Sequence, residues 1–160
     1  MASEIERKFL IVSDAWKASV VRSVRYRQGY LCPVDTSSVR VRVSDDMAYL
    51  NIKSATLGVE RLEYEYPIPL SDAHEMLDRL CRKPLVEKTR HFVEHAGHCW
   101  EIDVFEGDNT GLVVAELELQ TTDEAFERPA WVGEEVSHEA RYYNVCLVDR
   151  PYSAWEAWER

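Results

Sequence analysis

Residues 4–8, Glu4-Ile5-Glu6-Arg7-Lys8, set three full charges two residues apart. Strand side chains repeat with a period of two, so Glu4, Glu6 and Lys8 share one face of a strand while Ile5, Phe9 and Ile11 take the other. Two carboxylates side by side repel unless a cation lies between them. A hard divalent ion, which takes oxygen ligands, suits that spacing. Alone, the pentapeptide is either a metal clip or a solvated strand face, and the later segments have to choose.

Those segments repeat the pattern. Strand candidates run over residues 3–12, 21–31, 38–44, 47–54, 60–69, 84–95, 98–106 and 111–120. Turns fall at Asp35-Thr36-Ser37, Asp45-Asp46, Gly58 and Ala96-Gly97. A helix is expected over 71–80, with Ser71 as N-cap and Ala73, Met76, Leu77 and Leu80 as its apolar stripe. A second short helix is expected to begin at Thr122–Phe126 and stop at Pro129, and the tail (137–148, 152–159) is expected to be helical. No repeat, low-complexity run or long linker divides the chain, so residues 1–160 form one α+β domain with a largely antiparallel sheet.

One face of these strands is almost entirely charged. It carries Arg40 and Arg42, then Asn51 and Lys53, Arg61 with Glu63 and Glu65, Lys88 and Arg90, Glu101 and Asp103, and Glu116 and Glu118. A half-exposed antiparallel sheet always has a polar face, so periodicity by itself fits plain solvation. Two details favour more. Solvent faces mix in Ser, Thr and Gln, which are nearly absent here, and the signs are grouped by strand. A sheet closed into a barrel, with helices on its apolar outside, turns this face into a lumen with acidic and basic walls. Arginine forks suit phosphate oxygens and carboxylates suit Mg²⁺, so such a lumen fits a polyphosphate with its metal.

The formal charge is −10, which argues against a nucleic-acid surface, and no apolar stretch approaches the ~18 residues of a membrane span. Charges begin at once and no signal-like apolar run follows. Cys32, Cys81, Cys99 and Cys146 are widely spaced, which points to a reduced, cytoplasmic protein rather than a zinc or disulfide frame. Neither standard nucleotide loop is present, nor a serine or cysteine nucleophile motif. His91, His95 and His98, near one hairpin, are expected to be solvated loop histidines.

The ordered set of motifs resembles the CYTH superfamily, the triphosphate tunnel metalloenzymes, in the bacterial EIERKFL form of its tripolyphosphatase-like members. Matches follow in order: Glu4–Leu10, Gln28-Gly29-Tyr30-Leu31, Arg40-Val41-Arg42, Lys53-Ser54, Arg61 with Glu63 and Glu65, Glu87–Arg90, Glu101–Phe105, Glu116-Leu117-Glu118, and Glu134-Glu135-Val136 with Arg141-Tyr142 and Asn144. They span residues 3 to about 148, with 149–160 left as a separate tail. The resemblance implies an eight-stranded antiparallel β-barrel forming a tunnel, with helices outside. It implies Glu4, Glu6, Asp103, Glu116 and Glu118 as metal ligands for Mg²⁺ or Mn²⁺. Lys8, Arg40, Arg42, Lys53, Arg61, Lys88 and Arg90 become phosphate binders, and Glu4, Glu6, Lys8, Tyr30 and Lys88 the residues at the chemistry.

The expected function is metal-dependent hydrolysis of a linear triphosphate, inorganic or organic, by a monomer or homodimer. One alternative is a class IV-type adenylate cyclase on the same fold, which would need a recognised adenine. The other is a non-catalytic polyphosphate- or nucleotide-binding module.

Overall fold

The computed structural model describes residues 3–33 and 35–160; the side chains of Cys32 and Pro33 lie outside the described atoms. The strands are β1 (Ser3–Ile11), β2 (Val20–Pro33), β3 (Ser37–Ser44), β4 (Met47–Ser54), β5 (Glu60–Pro67), β6 (Val86–His95), β7 (His98–Phe105), β8 (Val113–Glu118) and β9 (Val132–Glu135). Their order is β5-β4-β3-β2-β6-β7-β8-β1-β9, every pair is antiparallel, and β5 also pairs with β1. That last pairing, Glu4 opposite Arg61, closes eight strands into a barrel, with β9 added outside the ring along the end of β1.

Local sequence sets the register. Ser44 pairs with Met47 and His95 with His98, so both hairpins turn in two residues. Ala96 (φ 48) and Gly97 (φ 81) both take the left-handed region that such a turn demands, whereas at the other hairpin Asp45 takes it at φ 50. At Gly29 the strand passes close beneath the loop after the helix. A Cβ there would lie 2.7 Å from Cys81 Cβ and 2.8 Å from Leu85 Cδ2.

Two apolar clusters lie outside the barrel wall, and a third, on the lumen-facing parity of its strands, plugs the closed end. Val41, Val43 and Ala48 pack beneath α1 (Leu70–Arg79) against Ala73, Leu77 and Cys81. Phe9, Trp100, Ile102, Ala115 and Leu117 meet Trp16, Trp131 and Phe126. Tyr30, Val86, Phe105 and Val114 meet the C-terminal Tyr142, Leu147, Val148 and Trp155. The outer face of β5 has no such cover, and Leu62, Tyr64 and Tyr66 are exposed there.

Several expectations are corrected. The helix at 71–80 is α1, but it starts one residue earlier and Ser71 makes no capping bond. Residues 122–123 form a turn and 124–126 run on without regular structure, with the Glu124 carboxylate folded back onto the Gln120 N–H at 2.6 Å and onto His98 Nε2 at 2.9 Å. The tail is a chain of short turns rather than helix. It contains one-turn 3₁₀ segments at Ala140–Tyr142 and Tyr152–Ala154 and the single turn α2 (Cys146–Asp149). Pro151 interrupts it, and Trp155 packs edge-on against Tyr142 and at a tilt against Tyr152 instead of forming a helical stripe. Cys81, Cys99 and Cys146 are free.

Candidate active site

The lumen is a cavity of about 490 Å³. β1 supplies Glu4, Glu6 and Lys8; β3 supplies Arg40 and Arg42; β4 and β5 supply Lys53, Arg61, Glu63 and Glu65. β6 supplies Lys88 and Arg90, β7 supplies Glu101, and β8 supplies Glu116 and Glu118. Tyr30 lines it from β2. The alternation seen in the sequence is thus the alternation of a closed wall, charges in and most apolar side chains out, with Phe92 at the mouth and Val86, Phe105 and Val114 at the plugged end as inward exceptions.

The cavity has a buried end and an open one. Lys88 is 1 % exposed, Lys8 and Glu116 4 %, and Tyr30 5 %. The chain after β9 closes this end. Tyr143, Asn144 and Val145 line it, Lys8 Nζ donates to the Tyr142 carbonyl at 3.4 Å, and Lys88 Nζ donates to Asn144 Oδ1 at 3.3 Å. The Tyr143 hydroxyl accepts from the Gly58 N–H at 3.1 Å and donates to the Ser137 carbonyl at 2.7 Å, which fixes the closing segment. At the other end Arg22, Glu65 and Glu118 are exposed.

Cations and carboxylates interlock along the walls. Glu4 accepts from Lys53 Nζ at 2.7 Å and from Arg61 Nε at 3.0 Å. Burial alone would raise its pKa, but the Lys53 and Arg61 charges outweigh it and hold Glu4 down to about 2. Glu116 pairs with Lys8 Nζ at 2.8 Å and with Arg90, and these cations hold it well below the carboxylate range against its burial. Glu6 is the opposite case. Burial, with the Glu116 and Glu4 charges added, raises it to about 7. Its pairing with Arg61 is loose, at 3.5 Å. Lys88 is lowered to about 8 by burial, with Arg90 adding to the effect against Asp103. Tyr30 is raised by its burial and stays a neutral hydroxyl.

Asp103 does not line the cavity. It is fully buried, its carboxylate gripping Arg90 at 2.7 and 2.8 Å and also Lys88. Burial would raise its pKa, yet Arg90 and Lys88 hold it below the aspartate range. With both oxygens committed, it anchors the two basic side chains from behind and differs in place from Glu4, Glu6, Glu116 and Glu118, which line the lumen. Asn51 lies fully buried between Glu63 and Glu65 and donates to both.

The donor set suits a hard divalent cation. Glu6 and Glu118 face each other across the β1–β8 ladder, and Glu118 makes no ion pair among the described residues. Glu6 is pushed toward neutrality first by its burial and then by the Glu116 and Glu4 charges. As the side chains stand, no three acidic, histidine or cysteine groups converge among the described residues, because Glu4 and Glu116 are turned to Lys53, Arg61, Lys8 and Arg90. The histidines stay outside the lumen: His95 pairs with Glu127, His98 with Glu124, and His91 with Ser23.

Arg22, Tyr26, Tyr143 and Ser38 also line the cavity and were not expected from the sequence. A signal for two of them was available, since Arg22 and Tyr26 share parity with Tyr30 on β2. Tyr143 comes from an irregular segment, where no period operates.

Comparison with known proteins agrees with this geometry. A family model described as the CYTH domain matches residues 2–152. An inorganic triphosphatase of Acetivibrio thermocellus is 47% identical over 152 residues, covering 95% of this chain and 97% of that protein. An inorganic triphosphatase of Nitrosomonas europaea is 37% identical over 150 residues, covering 91% and 97%. A crystal structure of an inorganic triphosphatase superposes with a TM-score of 0.66 at 33% identity, covering 92% of this chain and 95% of the other. The chain therefore belongs to the CYTH family.

Proposed function

We propose that this protein hydrolyses a linear triphosphate, with inorganic tripolyphosphate as the first substrate to test, using Mg²⁺ or Mn²⁺. The observation that carries the reading is the two-walled cavity: buried Arg40, Lys88 and Arg90 face a set of glutamates of which Glu6 and Glu118 lack a tight cationic partner. The names of the two sequence relatives support it. The free thiols fit a reducing, cytoplasmic setting.

In this reading Glu4, Glu6, Glu116 and Glu118 would hold the cation, and the bound ion would offset phosphate charge and activate water. Lys8 and Lys88 at the buried end, with Arg40, Arg42, Lys53, Arg61 and Arg90, bind nonbridging oxygens and stabilise charge on the leaving oxygen. Phosphate enters in competition with the carboxylates that already hold these cations, so binding releases Arg42 from Glu65 and Lys53 from Glu63. Tyr30 donates a hydrogen bond, since its raised pKa keeps the proton on the hydroxyl. Asp103 holds Lys88 and Arg90 in place. Water adds its oxygen to a terminal phosphorus, a bridging P–O bond breaks, and orthophosphate and pyrophosphate leave. A walled cavity that orients substrate contributes several kcal/mol, on the order of the positioning effects known for oriented reactants.

Phosphate release from tripolyphosphate, pyrophosphate, ATP and thiamine triphosphate, each with Mg²⁺, Mn²⁺ or Co²⁺, tests the proposal. Cyclic AMP and pyrophosphate from ATP would instead support the cyclase. Tight binding without turnover under every metal would support the binding module.

A further inference from the structure

Resting on the reading of the cavity as a polyphosphate site, we infer that Arg22 at its open mouth forms an additional phosphate subsite, which takes the fourth phosphoryl group of a linear polyphosphate in preference to a nucleoside. A substrate seated against Lys8 and Lys88 has one way to extend. The buried end is closed by Tyr143, Asn144 and Val145, so anything beyond the third phosphate leaves past the exposed end, where Arg22, Tyr26 and Phe92 line the wall.

The chemistry of that mouth is specific. Arg22 and Phe92 are cross-strand partners on β2 and β6, and the guanidinium carbon of Arg22 lies 4.1 Å from the Phe92 ring centroid. Stacking on the ring orients the planar fork while leaving its N–H edges free to donate. Among the described residues no carboxylate lies within 4.0 Å of Arg22. The other cations near the mouth are engaged, Arg42 with Glu65 at 2.9 Å and Arg90 with Glu101, while Glu118 is exposed at this end without an ion pair among the described residues. Arg22 is therefore an oriented, uncompensated cation at the opening of a protein of formal charge −10. The same rings disfavour a base. Phe92 already carries Arg22, and the Tyr26 ring has the Arg42 and Arg90 guanidiniums at 4.9 and 5.7 Å, so each aromatic has its stacking partner before any ligand arrives. What the Arg22–Phe92 side of the mouth offers is N–H donors and positive charge, the chemistry of a further phosphate.

With tetraphosphate the reaction balances as with the shorter chain: water adds to a terminal phosphorus, one bridging P–O bond breaks, and orthophosphate and tripolyphosphate leave with a proton lost to solvent.

The test is binding of tripolyphosphate, linear tetraphosphate and ATP in EDTA, measured by calorimetry on the full chain, for the wild type, Arg22→Gln and Arg22→Lys. The expected result is that R22Q weakens tetraphosphate at least about five-fold more than it weakens tripolyphosphate or ATP, the scale of one charge-assisted contact. R22K should recover part of the loss. Equal weakening of all three ligands, no change for tetraphosphate, or a loss largest for ATP would overturn the subsite. These outcomes are read without turnover, so they are separate from a failure of the wild type to release phosphate with metal, which would count against the triphosphatase reading instead.

Discussion

Glu4 and Glu6 stand two residues apart on one strand, yet their substitution should have opposite effects on stability. Glu4 is gripped by Lys53 and Arg61, so Glu4→Gln leaves two largely buried cations without their acceptor. We expect a loss of about 3 kcal/mol, the scale for breaking a buried pair, in urea denaturation at pH 7 with EDTA. Glu6 is pushed up to about 7 by burial and its glutamate neighbours, so Glu6→Gln removes repulsion and should leave the metal-free protein as stable or more so. Both variants should lose metal-dependent phosphate release by about 10² or more, the scale of removing one electrostatic contact at a reacting centre. Asp103→Asn should behave differently again. Lys88 and Arg90 lose their shared anchor, so stability should fall by about 3–5 kcal/mol while the lumen keeps Glu4, Glu6, Glu116 and Glu118. A stable D103N protein that has lost metal affinity would instead make Asp103 a metal ligand.

Residues are also where the sequence was most and least legible. Period-two alternation correctly put Glu4, Arg40, Lys88 and Glu116 on one face, because a closed wall leaves each strand residue only two directions. It could not give depth. Asp103 shares parity with Glu101, but the ladder sets it opposite Arg90 and Val114, beneath two cations and out of the cavity. Nothing in one strand's sequence states what its neighbours will cover.

Among the elements, the barrel strands were readable because most alternate over several residues between turns; β6 is less tidy, since Val86 and Phe92 share a face with Lys88 and Arg90. β9 was not, since Val132–Glu135 is short and takes its place by pairing with the end of β1. The tail was misread as helix because its aromatics pack one by one against the barrel. Its closing role is carried by few groups. Tyr143→Phe removes the hydroxyl that links Gly58 to Ser137, and should cost about 1–2 kcal/mol in thermal or urea denaturation. It should also raise KM for tripolyphosphate more than it lowers kcat, because the segment frames the buried end rather than reacting. An unchanged stability would mean that the loop holds without this link.

For the whole molecule, the wall charges set a pH dependence. Glu6, raised from 4.5 to about 7, and Glu63 and Glu101, also raised, bind protons more tightly folded than unfolded. The Glu6 contribution to stability is fully present below about 4.5 and is lost as pH climbs through about 7, and those of Glu63 and Glu101 are lost in the same direction as pH rises. Glu4, lowered to about 2, acts in the other window, its contribution being lost as pH falls from 4.5 toward 2. The metal-free protein should therefore lose stability between pH 5 and 8, roughly the window above the unfolded carboxylate value, and Mg²⁺ should restore it while displacing the proton from Glu6. Melting curves across that range with EDTA and with Mg²⁺ check this; a flat EDTA profile would contradict it.

If the charged lumen is a metal-assisted triphosphate site, orthophosphate release from tripolyphosphate at neutral pH must follow the metal. With Mg²⁺ or Mn²⁺ we expect stoichiometric orthophosphate and pyrophosphate, and with EDTA none. Release undiminished by EDTA, or no release with either metal from a folded protein, would rule that site out.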